Sequence, residues 1–179
     1  SIEAKNADGI GMLAAFAEQA PGLDWTRTTA VILGAGGAAR GAAAALIAAE
    51  VAEIRLANRT WARASQLAEA FPRTTAYELA DVAKAFEGAG VVINATSTGL
   101  NGGEALDLPL DILPPNAVVM DMVYKPLETT LLKAARARGL ATVDGLAMLI
   151  GQAATAFAHF FGAPPPREHD AELRALLTR

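Results

Sequence analysis

Thr29-Ala-Val-Ile-Leu-Gly-Ala-Gly-Gly-Ala-Ala-Arg40 is the stretch that decides the fold. An apolar run too short for a helix leads into a glycine cluster, and an alanine-rich segment follows. That order reads as a buried parallel strand, a tight turn and a helix whose N-terminus faces an anion. Gly34 allows the turn, Gly36 lets backbone approach a pyrophosphate, and Ala39 takes the small third position of G-x-G-x-x-G/A. Gly37 adds another position without a Cβ to obstruct a ligand.

Glu53-Ile-Arg-Leu-Ala57 reads as the second strand of the same βαβ unit. An NAD-binding domain usually offers an Asp or Glu there, about 20 residues past the glycines, to the ribose 2′-hydroxyl. Here the strand end carries Asn58, Arg59 and Thr60, with Arg63 one helical turn on. A carboxylate would repel a 2′-phosphate, whereas guanidinium groups pair with it. Charge-assisted hydrogen bonds contribute roughly 1.5–3 kcal/mol each. Two of them therefore separate the phosphorylated from the plain dinucleotide by about a hundredfold or more. The cofactor read from these residues is NADP; the plainer alternative is a solvated helix start.

With 179 residues the chain fits one domain and can bury a sizeable core. Its net charge of −4, with no basic run, argues against a nucleic-acid partner. The absence of cysteine rules out disulfides, thiolate catalysis and Cys-ligated metals. His159 and His169 are the only imidazoles, so neither a His-based metal site nor a Ser-His-Asp triad is expected. The most hydrophobic segment, residues 145–161, contains Gln152, Thr155 and His159 and reads as a buried helix, not a membrane span. With no signal peptide in view, a cytoplasmic protein is expected. The opening Ser1-Ile-Glu-Ala lacks a methionine, as though cut from something longer.

Strand and helix signals alternate along the chain, the mark of an α/β protein. Helices are expected over 8–19, 37–49, 61–70, 80–86, 127–138 (with Gly139 just past its end), 145–161 and 167–178. Strands are expected at 29–33, 53–57, 74–77, 91–94, 117–121 and 140–143, with a Gly- and Pro-rich loop over 100–116. The pattern predicts a single Rossmann-like, doubly wound parallel sheet with helices on both faces and ligand at the C-terminal strand ends.

The remaining motifs follow strand ends or open helices. Asn94-Ala-Thr-Ser-Thr-Gly99, which includes Thr96, lines the crevice or simply closes a βα unit. Tyr124, after Asp121-Met-Val, is a substrate hydrogen-bond donor or a half-buried aromatic. Asp144 reads as a helix N-cap. Gln152, on an otherwise apolar helix, needs a partner, and a polyol is one candidate. In Asn6-Ala-Asp8-Gly9, Asp8 is a cap or, placed beside a nicotinamide, a hydrogen-bond partner for a substrate hydroxyl.

Together these segments resemble the shikimate dehydrogenase family. The carriers are Asn6-x-Asp8-Gly9-x-Gly11, Gly34-Ala-Gly-Gly-Ala-Ala39 and Asn58-Arg-Thr-x-x-Arg-Ala64. Asn94-Ala-Thr96, Asp121-x-x-Tyr124 and Asp144-Gly-Leu-x-Met-Leu149 leading to Gln152-Ala-Ala154 complete them, in family order. The resemblance implies reversible NADP-linked reduction of 3-dehydroshikimate to shikimate, in aromatic amino-acid biosynthesis. By position it implies that Gly34, Ala35, Gly36, Gly37 and Ala38 hold the pyrophosphate. Asn58, Arg59, Thr60 and Arg63 would hold the 2′-phosphate. Met122, Gly145 and Met148 would lie by the nicotinamide, and Asp8, Tyr124 and Gln152 would touch the substrate.

The chain departs from the family pattern in two ways. Ala7 stands where the family usually has Thr between the Asn and Asp of the opening motif. The N-terminal substrate domain, with its Ser-x-Ser segment and catalytic lysine, has no counterpart here, and neither Lys5 nor Lys125 matches that lysine. The expectation is a cofactor domain whose residues 145–179 pack toward such a substrate domain, and which alone binds NADP(H) but turns over little shikimate. A quinate-using relative and a non-catalytic NADP-binding module are the alternatives. A tRNA-linked glutamate reductase would need a nucleophilic Cys.

Overall fold

In a computed structural model, residues 6–100 and 106–178 are described; Lys5 and part of the expected 100–116 loop lie outside them. The chain runs α1 (Asp8–Gln19), β1 (Thr29–Leu33), α2 (Gly37–Ala48), β2 (Glu53–Asn58), α3 (Trp61–Ala68), β3 (Thr74–Glu78) and α4 (Val82–Phe86). It continues β4 (Val91–Asn94), β5 (Val118–Asp121), α5 (Thr130–Ala137), β6 (Ala141–Asp144), α6 (Gly145–Phe161) and α7 (Asp170–Leu177). The six strands form one parallel sheet in the order β3-β2-β1-β4-β5-β6. This is the doubly wound Rossmann order, which reverses between β1 and β4 and opens a crevice there.

Strand periodicity sorts the core into two layers. Ala30 and Ile32 of β1, Ile54 and Leu56 of β2, and Val91 and Ile93 of β4 pack on Met12 and Phe16 of α1, on the alanines and Leu46 of α2, and on Leu67 of α3. The alternate residues Val31, Leu33, Val92 and Val119 face Phe86 of α4 and Leu131 and Ala135 of α5. Both faces are therefore covered, which is why the strands read as continuous apolar runs.

Helix boundaries differ from expectation where caps intervene. α5 starts at Thr130, not Leu127, because the Thr129 hydroxyl accepts the Leu132 amide, and Gly139 follows its end at φ +76° as expected. The expected 80–86 helix is split into a 3₁₀ turn at Leu79–Asp81 and the short α4. α6 is only half the buried helix expected. Its buried residues lie between Gly145 and Gly151, whereas Phe160 and Phe161 are 83% and 69% exposed. A helix of this length spans about 25 Å, and only its first half lies against α1 and β6. Among the described residues no helix is long and apolar enough to cross a membrane.

Small residues bring α1 close to its neighbours. A Cβ on Gly9 would lie 2.6 Å from Ala45 Cβ and 2.8 Å from the Gly41 carbonyl of α2. One on Gly11 would lie 2.6 Å from both the Gln152 nitrogen and the Met148 carbonyl of α6. Backbone cannot yield as a flexible side chain can. Gly11→Ala is therefore expected to cost about 2 kcal/mol or more through overpacking, read as a lower urea midpoint.

Asp144 ties three helices to the end of β6. Its Oδ1 accepts the Leu146 and Ala147 amides, both at 3.0 Å, as the expected N-cap of α6. Its Oδ2 accepts Gln19 Nε2 of α1 at 2.9 Å, and Arg174 of α7 donates to both oxygens. Burial pushes this carboxyl up, but Arg174, the Ala147 amide and Gln19 together hold it below the usual carboxylate range. Its stabilising contribution is then complete above pH 3.8 and lost as pH falls through the lower folded-state value. Asp144→Asn should cost about 1.5–3 kcal/mol at neutral pH, the loss of a charge-assisted hydrogen bond to a partly exposed guanidinium. In denaturant titrations the gap to wild type should close below pH 3.8.

Candidate cofactor crevice

β1 ends at Leu33 and the chain turns at once. The Gly34 amide donates to the Ala57 carbonyl of β2 at 2.8 Å, and φ at Gly34 is +109°, open to glycine at little cost. A Cβ there would also crowd the Ala95 carbonyl and the Thr96 methyl, each at 3.1 Å. Gly34 is thus required by the protein itself. Gly36 and Gly37 are not. Gly36 caps α2 at φ −93°, which any residue adopts, and a Cβ on either glycine meets nothing within 4 Å. Both are exposed, and no side chain caps the amides of this first turn. The result is an exposed turn fronted by backbone N–H groups and a helix N-terminus, suited to a phosphate.

The end of β2 forms the adjoining wall. Half-buried Asn58 donates its Nδ2 to the Thr60 carbonyl at 2.9 Å and shapes the turn into α3. Thr60, Arg59 and Arg63 are exposed, and among the described residues neither arginine makes an ion pair. By contrast Arg55, earlier on β2, is held by Glu53 at 2.9 Å and by the Ala85 and Glu87 carbonyls. Two cations thus stand ready at one strand end, a turn away from the α2 amides.

On the other side of the switch, β4 and β5 are stitched together at their last residues. Buried Asn94 donates Nδ2 to Asp121 Oδ1 at 2.9 Å and accepts the Thr96 amide and hydroxyl on Oδ1 at 3.1 and 2.7 Å. Asp121 Oδ1 also accepts the Val123 amide at 3.0 Å. Burial raises the Asp121 carboxyl, partly countered by the Thr129 hydroxyl, the Val123 amide and Asn94. The Thr96 hydroxyl, expected to face the cofactor, is engaged inside its own loop: it donates to Asn94 and accepts the Thr98 amide at 3.1 Å. The pairing of Asn94 with Asp121 was legible only as two separate motifs, since sequence does not show which strands are neighbours.

The sheet and α1 assemble the other candidates in two groups. Gly145 sits against the Met122 carbonyl so closely that a Cβ would strike it, and Met148 lies one turn along α6, buried. Met122, Gly145 and Met148 therefore converge at the ends of β5 and β6. Gly11 abuts Gln152, which places Asp8, one turn earlier on α1, and Gln152 on a shared seam. Asp8 opens α1 as expected, but Ala7 and not Asp8 holds the cap position, and the Asp8 amide donates to Asn6 Oδ1 at 2.8 Å. Both are half-buried. Tyr124 is 50% exposed, just before the cis Lys125–Pro126 bond, and no described hydrogen bond joins it to Asp8 or Gln152. No cluster of metal-ligating side chains is present among the described residues.

Comparison with known proteins agrees with this geometry. Residues 15–101 match the family described as shikimate/quinate 5-dehydrogenase, and residues 145–172 match the shikimate 5′-dehydrogenase C-terminal domain. A shikimate dehydrogenase (NADP(+)) of Caulobacter vibrioides is 49% identical over 98% of this chain and 62% of its own length. One of Dinoroseobacter shibae is 47% identical over 98% of this chain and 63% of its own. Among solved structures, the Thermus thermophilus shikimate 5-dehydrogenase in complex with NADP(H) and shikimate superposes with TM-score 0.81 at 35% identity, over 96% of this chain and 62% of that one. The Corynebacterium glutamicum quinate dehydrogenase in complex with NAD gives 0.83 at 30% identity, over 96% and 61%. The chain thus spans about 62% of the length of the relatives it matches. With its strand order, its glycine turn and both matched regions in agreement, the chain belongs to the shikimate/quinate dehydrogenase family.

Proposed function

We propose that this chain is the cofactor-binding part of an NADP-dependent shikimate dehydrogenase. The observation that carries the reading is the pair Gly36 and Gly37. Neither backbone angles nor packing require glycine at these positions, which leaves a ligand pressed against the α2 amides as the reason for the missing Cβ atoms. Arg59 and Arg63 beside that turn favour a dinucleotide carrying a 2′-phosphate over the NAD found with the Corynebacterium quinate dehydrogenase.

In this reading Gly34, Ala35, Gly36, Gly37 and Ala38 embrace the pyrophosphate, and Asn58, Arg59, Thr60 and Arg63 hold the adenosine 2′-phosphate. Met122, Gly145 and Met148 present an apolar wall to the nicotinamide, whose reduced ring supplies a hydride to the carbonyl carbon of 3-dehydroshikimate. Asp8 and Gln152 hydrogen-bond the substrate polyol, and Tyr124, at the open edge of the site, closes over it from the β5 loop. Asp8 orients the reacting hydroxyl and tunes the group that exchanges its proton. That acid, in the family resemblance a lysine, belongs to a substrate domain that docks against the exposed half of α6.

Titration separates the two halves of the cofactor reading. Gly36→Ala should leave the melting temperature unchanged, since its Cβ meets no protein atom, yet abolish measurable NADPH binding. Arg59→Ala with Arg63→Ala should weaken NADPH about a hundredfold and leave NADH nearly untouched. Equal affinity for the two cofactors in the wild-type chain would overturn the NADP assignment.

Turnover tests the substrate half. NADPH oxidation with 3-dehydroshikimate should be slight for the chain alone and appear when the substrate domain of the Caulobacter relative is added. Asp8→Asn should then lower that rate on the order of 10²-fold. Silence of the reconstituted pair would favour a non-catalytic NADP-binding module.

A further inference from the structure

α7 buries none of its residues, and Leu173, Leu176 and Leu177 are all exposed. A helix this short, with no buried face, is not held by hydrophobic packing and is not stable alone. Its polar tie to the domain is Arg174, whose Nη1 and Nη2 reach the two oxygens of Asp144 at 3.1 and 2.5 Å. The Asp144 side chain is 6% exposed, and the guanidinium is its one cationic partner among the described residues. In the sheet register Asp144 stands beside Asp121, a second buried carboxyl, which has Asn94, the Thr129 hydroxyl and the Val123 amide as partners but no described cation. Arg174 is therefore the charge that balances the Asp144 carboxylate at the end of β6.

The contacts then pass inward without slack. Asp144 holds the Leu146 and Ala147 amides, and thereby the first turn of α6. Gly145 in that turn rests on the Met122 carbonyl with no room for a Cβ. Backbone against backbone transmits a shift that a flexible side chain would absorb.

We propose that Arg174 is a positioning residue for the nicotinamide half of the bound dinucleotide, acting through Asp144 and Gly145; the inference rests on the cofactor reading above. An ionised carboxylate accepts amide hydrogens more strongly than a neutral or hydrated one, so the guanidinium fixes where α6 begins. The adenosine half is held across the sheet by the turns after β1 and β2, which share no described hydrogen bond with Arg174 or Asp144.

Calorimetric titration of the whole 179-residue chain with NADP+ and with 2′,5′-ADP, which lacks the nicotinamide, tests this directly. Arg174→Ala should leave 2′,5′-ADP affinity within about twofold of wild type while weakening NADP+ roughly fivefold, and Arg174→Lys should recover most of that loss. NADP+ affinity unchanged in Arg174→Ala overturns the proposal. So does an equal loss for both ligands, which is the signature of general loosening. A wild-type chain that fails to bind 2′,5′-ADP overturns the cofactor reading itself, and the positioning role with it.

Discussion

The rest of the molecule depends on backbone standing unshielded where β1 gives way to α2. Gly34 is demanded from inside, by its backbone angle and by the Ala95 carbonyl and Thr96 methyl against it. Gly36 and Gly37 are demanded by nothing inside. That contrast within four residues separates architecture from recognition more sharply than the motif itself, because a tight strand-to-helix turn needs only the first glycine. The helix that follows contributes amides and a dipole, and the next strand end contributes arginines, so attraction for a polyphosphate arises from parts that fold for independent reasons.

The β4–β6 side of the sheet works differently. Its polar groups face one another: Asn94 binds Asp121, and Asp144 gathers amides, an amide side chain and a guanidinium. Buried carboxylates are costly to desolvate, and networks of this kind persist when nearly every lone pair is met. Among the described residues no buried side-chain nitrogen or oxygen lacks a partner. One side of the crevice thus keeps its polar groups free for a ligand, and the other spends them on holding two strand ends and their loops in register.

Much of this was legible before any coordinates. The doubly wound parallel sheet follows from the glycine turn and the alternation of elements, and the N-cap role of Asp144 follows from residue type and position, whereas the strand order itself came from the structure. Distant partners were not. Gln19 and Arg174 lie 125 and 30 residues from Asp144, on amphipathic helices where a polar residue reads as solvated. The glycines of the opening motif were read beside a substrate residue, whereas Gly9 and Gly11 serve packing against α2 and α6. The apolar length of α6 suggested burial throughout, because composition does not reveal how much of a helix finds a neighbour to pack on.

The seam between α1 and α6 has a mechanical corollary. Gly11 and Gly151 meet backbone to backbone, with the Gly11 carbonyl 3.1 Å from where a Gly151 Cβ would stand. At this crossing the glycines meet backbone atoms and the Ala14 and Gln152 Cβ atoms, with no flexible side chain among their nearest neighbours, so a tilt of one helix is passed to the other. Whatever tilt brings the crevice to a narrower aperture must carry Asp8 and Gln152 together, with the spacing between them unchanged.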